Sequence, residues 1–518
     1  MRPSSLYRGV ASSAAGTGFS RVLGAARDIV LARILGANAA SDAFWVAFSV
    51  PTVFRRFVAD EGLTGVMVPA LSEAERDENP EAARRISGGI FTALVTACAL
   101  LCALGMLGSE WLVLAFASGF LDDPAQFALT VQLTRWLFPF ILFVSLVSWC
   151  EGLLNLRGHY FIPKAAPGLV SAGLILAGLL ATDQATLPFA LVAGALGGAL
   201  AHFLVCLPAV LRLWGPVAPN LSTWRTARFR RILNEMGKVV AIGVFAQLNL
   251  LALRQIGSYL PAGSITHYWY ANRVVDLAQG VIAVAVGSAL LPPISRAAAA
   301  GDWTCFDETL ADAIRLAAVI LLPAAALLVA IPGPIVSTLF LHGQFSAEAA
   351  EVTAQCLRLM VPFMLGVAGI NILKKPYFAL ERRDILLRVG ALGLLLTIGL
   401  GWSFSLPLGQ GVDGLAMALS ISTIVQLMAY ALLLQRQAGP RLRFRPLASP
   451  VARMAFASVP AAAAAWATCR LGHWESGAGL ANAGILAAAV ITAAAVYLAG
   501  AWTLGVRQEI RRVVQRGA

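Results

Sequence analysis

Long stretches without a single charge recur from one end of this chain to the other, and they leave it few ways to fold. Ile90 to Leu107, Leu187 to Leu211, Leu316 to Leu341 and Leu480 to Ala501 contain no Asp, Glu, Lys or Arg. Each is long enough to cross roughly 30 Å of hydrocarbon as a helix. The whole composition agrees: of 518 residues 58% are hydrophobic and 13% charged, against roughly 25% charged in a soluble domain. A chain so poor in polar surface cannot cover itself in water, so it is read as an all-α polytopic membrane protein.

About fourteen spans are predicted, among them 8–35, 42–71, 130–156, 266–297 and 350–379. The first segment carries Arg21, Arg27 and Arg33. It lacks a short, clean apolar stretch followed by a cleavage site, so it is expected to remain as a helix. The formal net charge of +12 does not point to nucleic acid, because the basic residues recur at the ends of alternate apolar segments, not on one face. Arg76, Arg84 and Arg85, then Arg157 and Lys164, then the run from Arg225 to Lys238 mark one set of loops, while loops such as Gly36–Ser41 and Leu260–Thr266 hold no Lys or Arg. Both termini are therefore expected to face the cytoplasm.

Two short strings recur. Val68-Pro69-Ala70-Leu71-Ser72 matches Leu291-Pro292-Pro293-Ile294-Ser295, Arg135–Phe140 matches Arg358–Phe363, and both pairs of prolines are 223 residues apart. The shared offset favours duplication over coincidence and predicts two parallel six-helix repeats plus two C-terminal helices. The boundaries expected are 1–215 for the first lobe, 216–234 for a basic cytoplasmic linker, 235–438 for the second lobe and 439–518 for the extra helices and basic tail. Transporters built from parallel repeats place their substrate site between the halves and alternate access by rocking.

Charges at membrane depth locate the candidate site. A central Arg costs roughly 2.5–3.5 kcal/mol on insertion scales, so such residues usually face a cavity or a partner. Arg21, Arg27 and Arg33 span roughly 18 Å along a helix and cannot all reach one surface. The second segment begins near Asp42 and holds Arg55 and Arg56 before Asp60 and Glu61, while Arg273 and Asp276 stand at i, i+3 spacing in the segment 266–297. One reading is structural ion pairing, of Arg27 near Asp28 and of Arg56 with Glu61. The other is a wet, electropositive cavity for an anion, since Arg exceeds carboxylate here and fits phosphate in a bidentate fork. Lys374 and Lys375 suit either a gate or a snorkelling basic rim. Arg254, Glu151, Asn155, Gln247 and Asn249 are read as interhelical contacts. No metal-ligand spacing or catalytic motif accompanies the seven cysteines and five histidines, so no cofactor and no enzyme activity are expected.

Ser20-Arg21-Val22-Leu23-Gly24-Ala25-Ala26-Arg27-Asp28, Ala32–Ala37, Ser41-Asp42-Ala43-Phe44, Pro51–Arg56 and Glu61–Pro69 resemble the N-terminal signature of the lipid II flippases, within the multidrug/oligosaccharidyl-lipid/polysaccharide exporter superfamily. The resemblance continues through Tyr268–Arg273, Gly287–Ser295, Phe340–Phe345 and Gly414–Ala418. It implies an inner-membrane flippase that carries lipid II, an undecaprenyl-diphosphate-linked disaccharide-pentapeptide, to the periplasmic leaflet. It further implies substrate binding by Arg21, Arg27, Arg55 and Arg273, supporting or gating roles for Asp28, Asp42, Arg56 and Glu61, a C-terminal groove for the polyprenyl tail, and contact with the cell-wall synthesis machinery. Asn272 departs from the family, which often has Asp there, and 385–406 lacks the acid and amide that a sodium site described for some relatives needs. The alternatives are a drug or cation exporter or a polysaccharide-unit flippase of the same superfamily, and a membrane enzyme acting on polyprenyl phosphates.

Overall fold

A computed structural model describes residues 3–55, 61–77, 79–286, 290–438, 445–477 and 479–505; for 3–11, 61–65, 237–246, 281–286, 292, 383, 438 and 445–446 it describes the backbone only. Every regular element among the described residues is helical. The chain divides into two compact units, Met1–Ala262 and Gly263–Ala518. The first holds α1 (Pro3–Leu35), α2 (Ala39–Arg55), α3 (Glu61–Asp77), α4 (Pro80–Leu107), α5 (Ser109–Ala117), α6 (Pro124–Leu137), α7 (Phe140–Leu156), α8 (Phe161–Ala165), α9 (Gly168–Leu180), α10 (Leu187–Trp214) and α11 (Ala227–Gly257). The second holds α12 (Ser264–Val286), α13 (Leu291–Ala300), α14 (Trp303–Ala330), α15 (Pro332–Phe340), α16 (Ala347–Leu359), α17 (Val361–Ala379), α18 (Arg383–Ser405), α19 (Gly411–Ala438), α20 (Arg445–Cys469) and α21 (Leu480–Thr503).

Among the described residues nine spans are long and apolar enough to cross a membrane, and the α16–α17 pair makes ten if its 42° bend is counted as one broken span. The charged helices α1 and α12 are not among them, since the residues that mark the candidate site lower their hydropathy, and α2, at 17 residues, is too short. One of the two repeated strings comes out alike in both copies, whereas Val68–Ser72 lies inside α3 and Leu291–Ser295 opens α13. Arg135–Phe140 covers the junction of α6 and α7, and Arg358–Phe363 the junction of α16 and α17. Pro139 precedes α7 and Pro362 lies in the first turn of α17, where a missing N–H and a fixed φ are tolerated.

In the first unit α2 is buried along almost its whole length. Phe44, Trp45 and Phe48 pack on one another, and Phe48 reaches Phe140 of α7. Buried indole N–H groups find acceptors across helices, Trp149 on Ser87 and Trp214 on the Leu153 carbonyl, which removes the cost of an unsatisfied donor in an apolar setting. In the second unit Tyr377 donates to the Tyr430 carbonyl at 2.6 Å, and the pair α20–α21 meets along Ala457, Ala461, Ala465, Ala489, Ala493 and Tyr497. Small residues let those backbones approach closely, the usual device where lipid competes for apolar contact. Outward-facing residues such as Phe456 (70% exposed) and Leu480 (96% exposed) belong in hydrocarbon or at its edge.

Candidate functional site

The site is built on helices whose starts and neighbours fix the side chains. Between α1 and α2, Asn38 and Ser41 cap each other: the Asn38 N–H donates to Ser41 Oγ at 2.8 Å and the Ser41 N–H to Asn38 Oδ1 at 3.0 Å. This reciprocal cap starts α2 at a fixed point and sets Asp42 in its first turn, where the carboxyl is buried and favourably close to the positive helix end. Arg55 closes α2, half-buried. Arg56 lies outside the described residues. Glu61 opens α3, and its side chain lies outside them too.

On α1, Arg27 turns onto its neighbour. Its Nε and Nη2 donate to the same Asp28 oxygen at 2.9 and 2.7 Å, and the two side chains are 13% and 6% exposed. Among the described residues the Arg27 Nη1 makes no hydrogen bond, so one edge of the guanidinium is not spent on the carboxylate. Arg21 and Arg33 are exposed on the same helix, and neither closes an ion pair among the described residues.

On α12, Arg273 reaches Asp276 at 3.1 Å, as the i, i+3 spacing predicts, and its guanidinium stacks 4.2 Å from the Trp269 ring centroid. Asn272 donates to the same Asp276 oxygen at 3.2 Å. Asn272 therefore acts as a second donor to this carboxylate where an Asp would repel it. The ion-pair reading thus holds for Arg27 and Arg273, each with an acid on its own helix. Positive excess survives on the stretch of α1 from Arg21 to Arg33, which holds three guanidiniums and one carboxylate, Asp28.

The residues read as interhelical contacts behave in several ways. Glu151 pairs with Lys164 at 2.5 Å, which ties α7 to the short α8, while Arg254 and Gln247 are buried in α11. Lys374 and Lys375 are half-buried on α17, and Arg382 meets Asp384 at 3.4 Å nearby. Two features escaped the sequence reading. Trp269 under Arg273 was signalled only by an aromatic one turn before an Arg. The Arg315–Asp312 pair, 2.8 Å apart within α14, was signalled by i, i+3 spacing at the edge of the uncharged run that begins at Leu316.

A family model described as lipid II flippase MurJ matches residues 31–483. The chain belongs to the lipid II flippase MurJ family. The lipid II flippase MurJ of Burkholderia cenocepacia is 31% identical over 422 residues, 80% of this chain and 81% of that protein. The probable lipid II flippase MurJ of Rhizobium meliloti is 30% identical over 475 residues, 89% and 86%. Among solved structures, a lipid II flippase MurJ in an inward closed conformation superposes with a TM-score of 0.78 at 19% identity, over 96% of this chain and 99% of that one. An inward-facing multidrug resistance MATE family transporter of the MOP superfamily gives 0.64 at 16% identity, over 82% and 95%. At those identities the structures speak for the fold: the MurJ match extends over nearly the whole chain, whereas the MATE match leaves about a fifth of it uncovered.

Proposed function

We propose that this MurJ family member flips lipid II from the cytoplasmic to the periplasmic leaflet of the inner membrane by alternating access, with both termini cytoplasmic. The diphosphate is bound by Arg21, Arg27, Arg55 and Arg273. Asp28 holds Arg27 in place, Asp42 is the acid of the same site, and Arg56 and Glu61 gate it. Residues 216–234 form a basic cytoplasmic segment that leads into α11, and 439–518 carries α20 and α21 as the support for the polyprenyl tail. Cell-wall synthesis enzymes are the partners that would supply and consume the lipid.

The observation that carries this reading is the survival of positive charge on α1 after pairing. A cation exporter needs carboxylate in excess at depth, and the stretch of α1 from Arg21 to Arg33 offers one carboxylate for three guanidiniums. Arg also matches the geometry of phosphate oxygens, which favours a diphosphate over a simple carboxylate cargo. Outward passage of a net negative headgroup is assisted by an inside-negative potential, at about 2.3 kcal/mol per charge per 100 mV when the charge crosses the full field.

Depletion of the protein in its native host, with complementation by Arg27→Ala and Arg273→Ala, tests the assignment. Neither variant should restore growth or periplasmic exposure of the lipid precursor. Full rescue by both, with normal exposure, removes these arginines from the site.

A further inference from the structure

A cavity of about 260 Å³ opens at the start of α4, lined by Glu81, Arg84 and Arg85 on the helix and by residues 216–220 after α10. It is a built feature of the first unit. The strand of chain that follows α10 is strapped onto α4 by three hydrogen bonds: Asn220 N–H to Thr92 Oγ1 at 3.0 Å, Thr223 Oγ1 to the Arg85 carbonyl at 3.3 Å, and Trp224 Nε1 to the Gly89 carbonyl at 3.1 Å. Gly88 and Gly89 make room for it, since a methyl at Gly88 would run into the Ala218 carbonyl and one at Gly89 would crowd Thr223 and Phe229. Gly215, at φ +72°, turns the chain into the strap, and a methyl there would sit 3.7 Å from the Arg84 guanidinium. Two guanidiniums therefore border a small fixed recess with one carboxylate, Glu81. Among the described residues neither Arg84 nor Arg85 closes an ion pair.

Placement narrows the ligand. The 28 residues of α4 extend about 42 Å at 1.5 Å per residue, longer than roughly 30 Å of hydrocarbon. Arg84 and Arg85 lie in its first two turns, ahead of the uncharged run to Leu107, so they stand at the level of lipid headgroups. These arginines are on a different helix from those proposed above for lipid II, and nothing in the flipping reading uses them.

We infer that this recess binds a phosphate ester, with Arg84 and Arg85 on the phosphate and Pro216, Val217 and Pro219 against its carbon skeleton. Forked guanidinium contacts suit phosphate oxygens, and a prefixed wall limits the ordering that binding costs. The ester can be the headgroup of an anionic lipid in the adjoining leaflet or a soluble metabolite; the chemistry recognised is the same.

The full chain, purified in a neutral detergent, is titrated with a short-chain phosphatidylglycerol and separately with glycerol phosphate, with binding followed by the shift in thermal unfolding midpoint. At least one ligand should give a saturable upward shift. Arg84→Gln with Arg85→Gln should weaken it at least tenfold, the scale of one lost charge-assisted contact, with the ligand-free midpoint unchanged. Val217→Trp, which fills the recess and keeps both arginines, should weaken it as much and so separates a pocket from diffuse attraction. Saturation by the lipid alone assigns a bilayer source, and saturation by glycerol phosphate assigns a soluble one. The inference is overturned if neither ligand saturates, or if the double Gln variant binds as the parent does.

Discussion

Arg27 on α1 and Arg273 on α12 are the same side chain in two different settings. Arg27 and its Asp28 are nearly dry, at 13% and 6% exposure, and the pair is set in a helix that also carries Arg21 and Arg33. Arg273 and Asp276 are wet, at 31% and 47%, and the guanidinium is held from below by Trp269. Counting charges, α1 is positive after pairing and α12 is balanced. α1 thus carries the charge that would attract an anion, and α12 carries an oriented donor with little net charge of its own. Buried pairs lose much when one partner goes, and exposed pairs little, so the two arginines should answer mutation differently.

The largest effect is expected at Asp28. Asp28→Ala leaves Arg27 without its acid in a dry setting and should cost about 3 kcal/mol, read as a lowered midpoint in thermal or denaturant unfolding. The double variant Arg27→Ala with Asp28→Ala should recover part of that loss, because no stranded charge remains. Equal stability of Asp28→Ala and the parent would put the two settings on one footing.

Next comes Arg21, exposed and outside any ion pair among the described residues. Arg21→Gln should leave the unfolding midpoint unchanged while weakening lipid II binding about tenfold, the scale of one charged hydrogen bond, and flattening its dependence on salt. Trp269→Leu removes the stacking beneath Arg273 and is worth about 0.5–1 kcal/mol at an exposed site, a two- to fivefold loss of lipid II affinity with a small change in stability. Smallest of all, Asp276→Asn should alter stability by less than about 1 kcal/mol and should tighten binding of the anionic lipid, because it gives α12 the uncompensated charge that α1 already has. Tightening is the discriminating sign, since loss would mean that Asp276 is needed to aim Arg273.

Much of this was legible in the residues. Uncharged runs gave the membrane helices, and the proline-bearing strings at Arg135–Phe140 and Arg358–Phe363 fell at corresponding helix junctions because proline imposes the same constraint wherever it occurs. The Arg273–Asp276 contact follows from helical spacing alone. Other features were not readable. Asn272 counts as a departure in sequence, yet it donates to Asp276, a role visible only once the rotamers are fixed. Arg27 and Asp28 are adjacent, and sequence neighbours on a helix do not ordinarily face each other, so the direct contact of two guanidinium donors with one Asp28 oxygen was not to be had from spacing. The recess beside Arg84 depends on a strap that begins more than a hundred residues later, and its signal, Gly88-Gly89, has many other uses.

The central proposal is that Arg27 and Arg273 bind the diphosphate. It is tested most directly by equilibrium binding of purified lipid II to the full chain in nanodiscs, comparing the parent with Arg27→Gln, Arg273→Gln and the two combined across a range of salt. Each single change should weaken binding by about tenfold or more, and the double variant should lose both the affinity and most of its salt dependence while unfolding as a single folded species. A double variant that keeps the parent's affinity and salt slope, with its fold intact, contradicts the account.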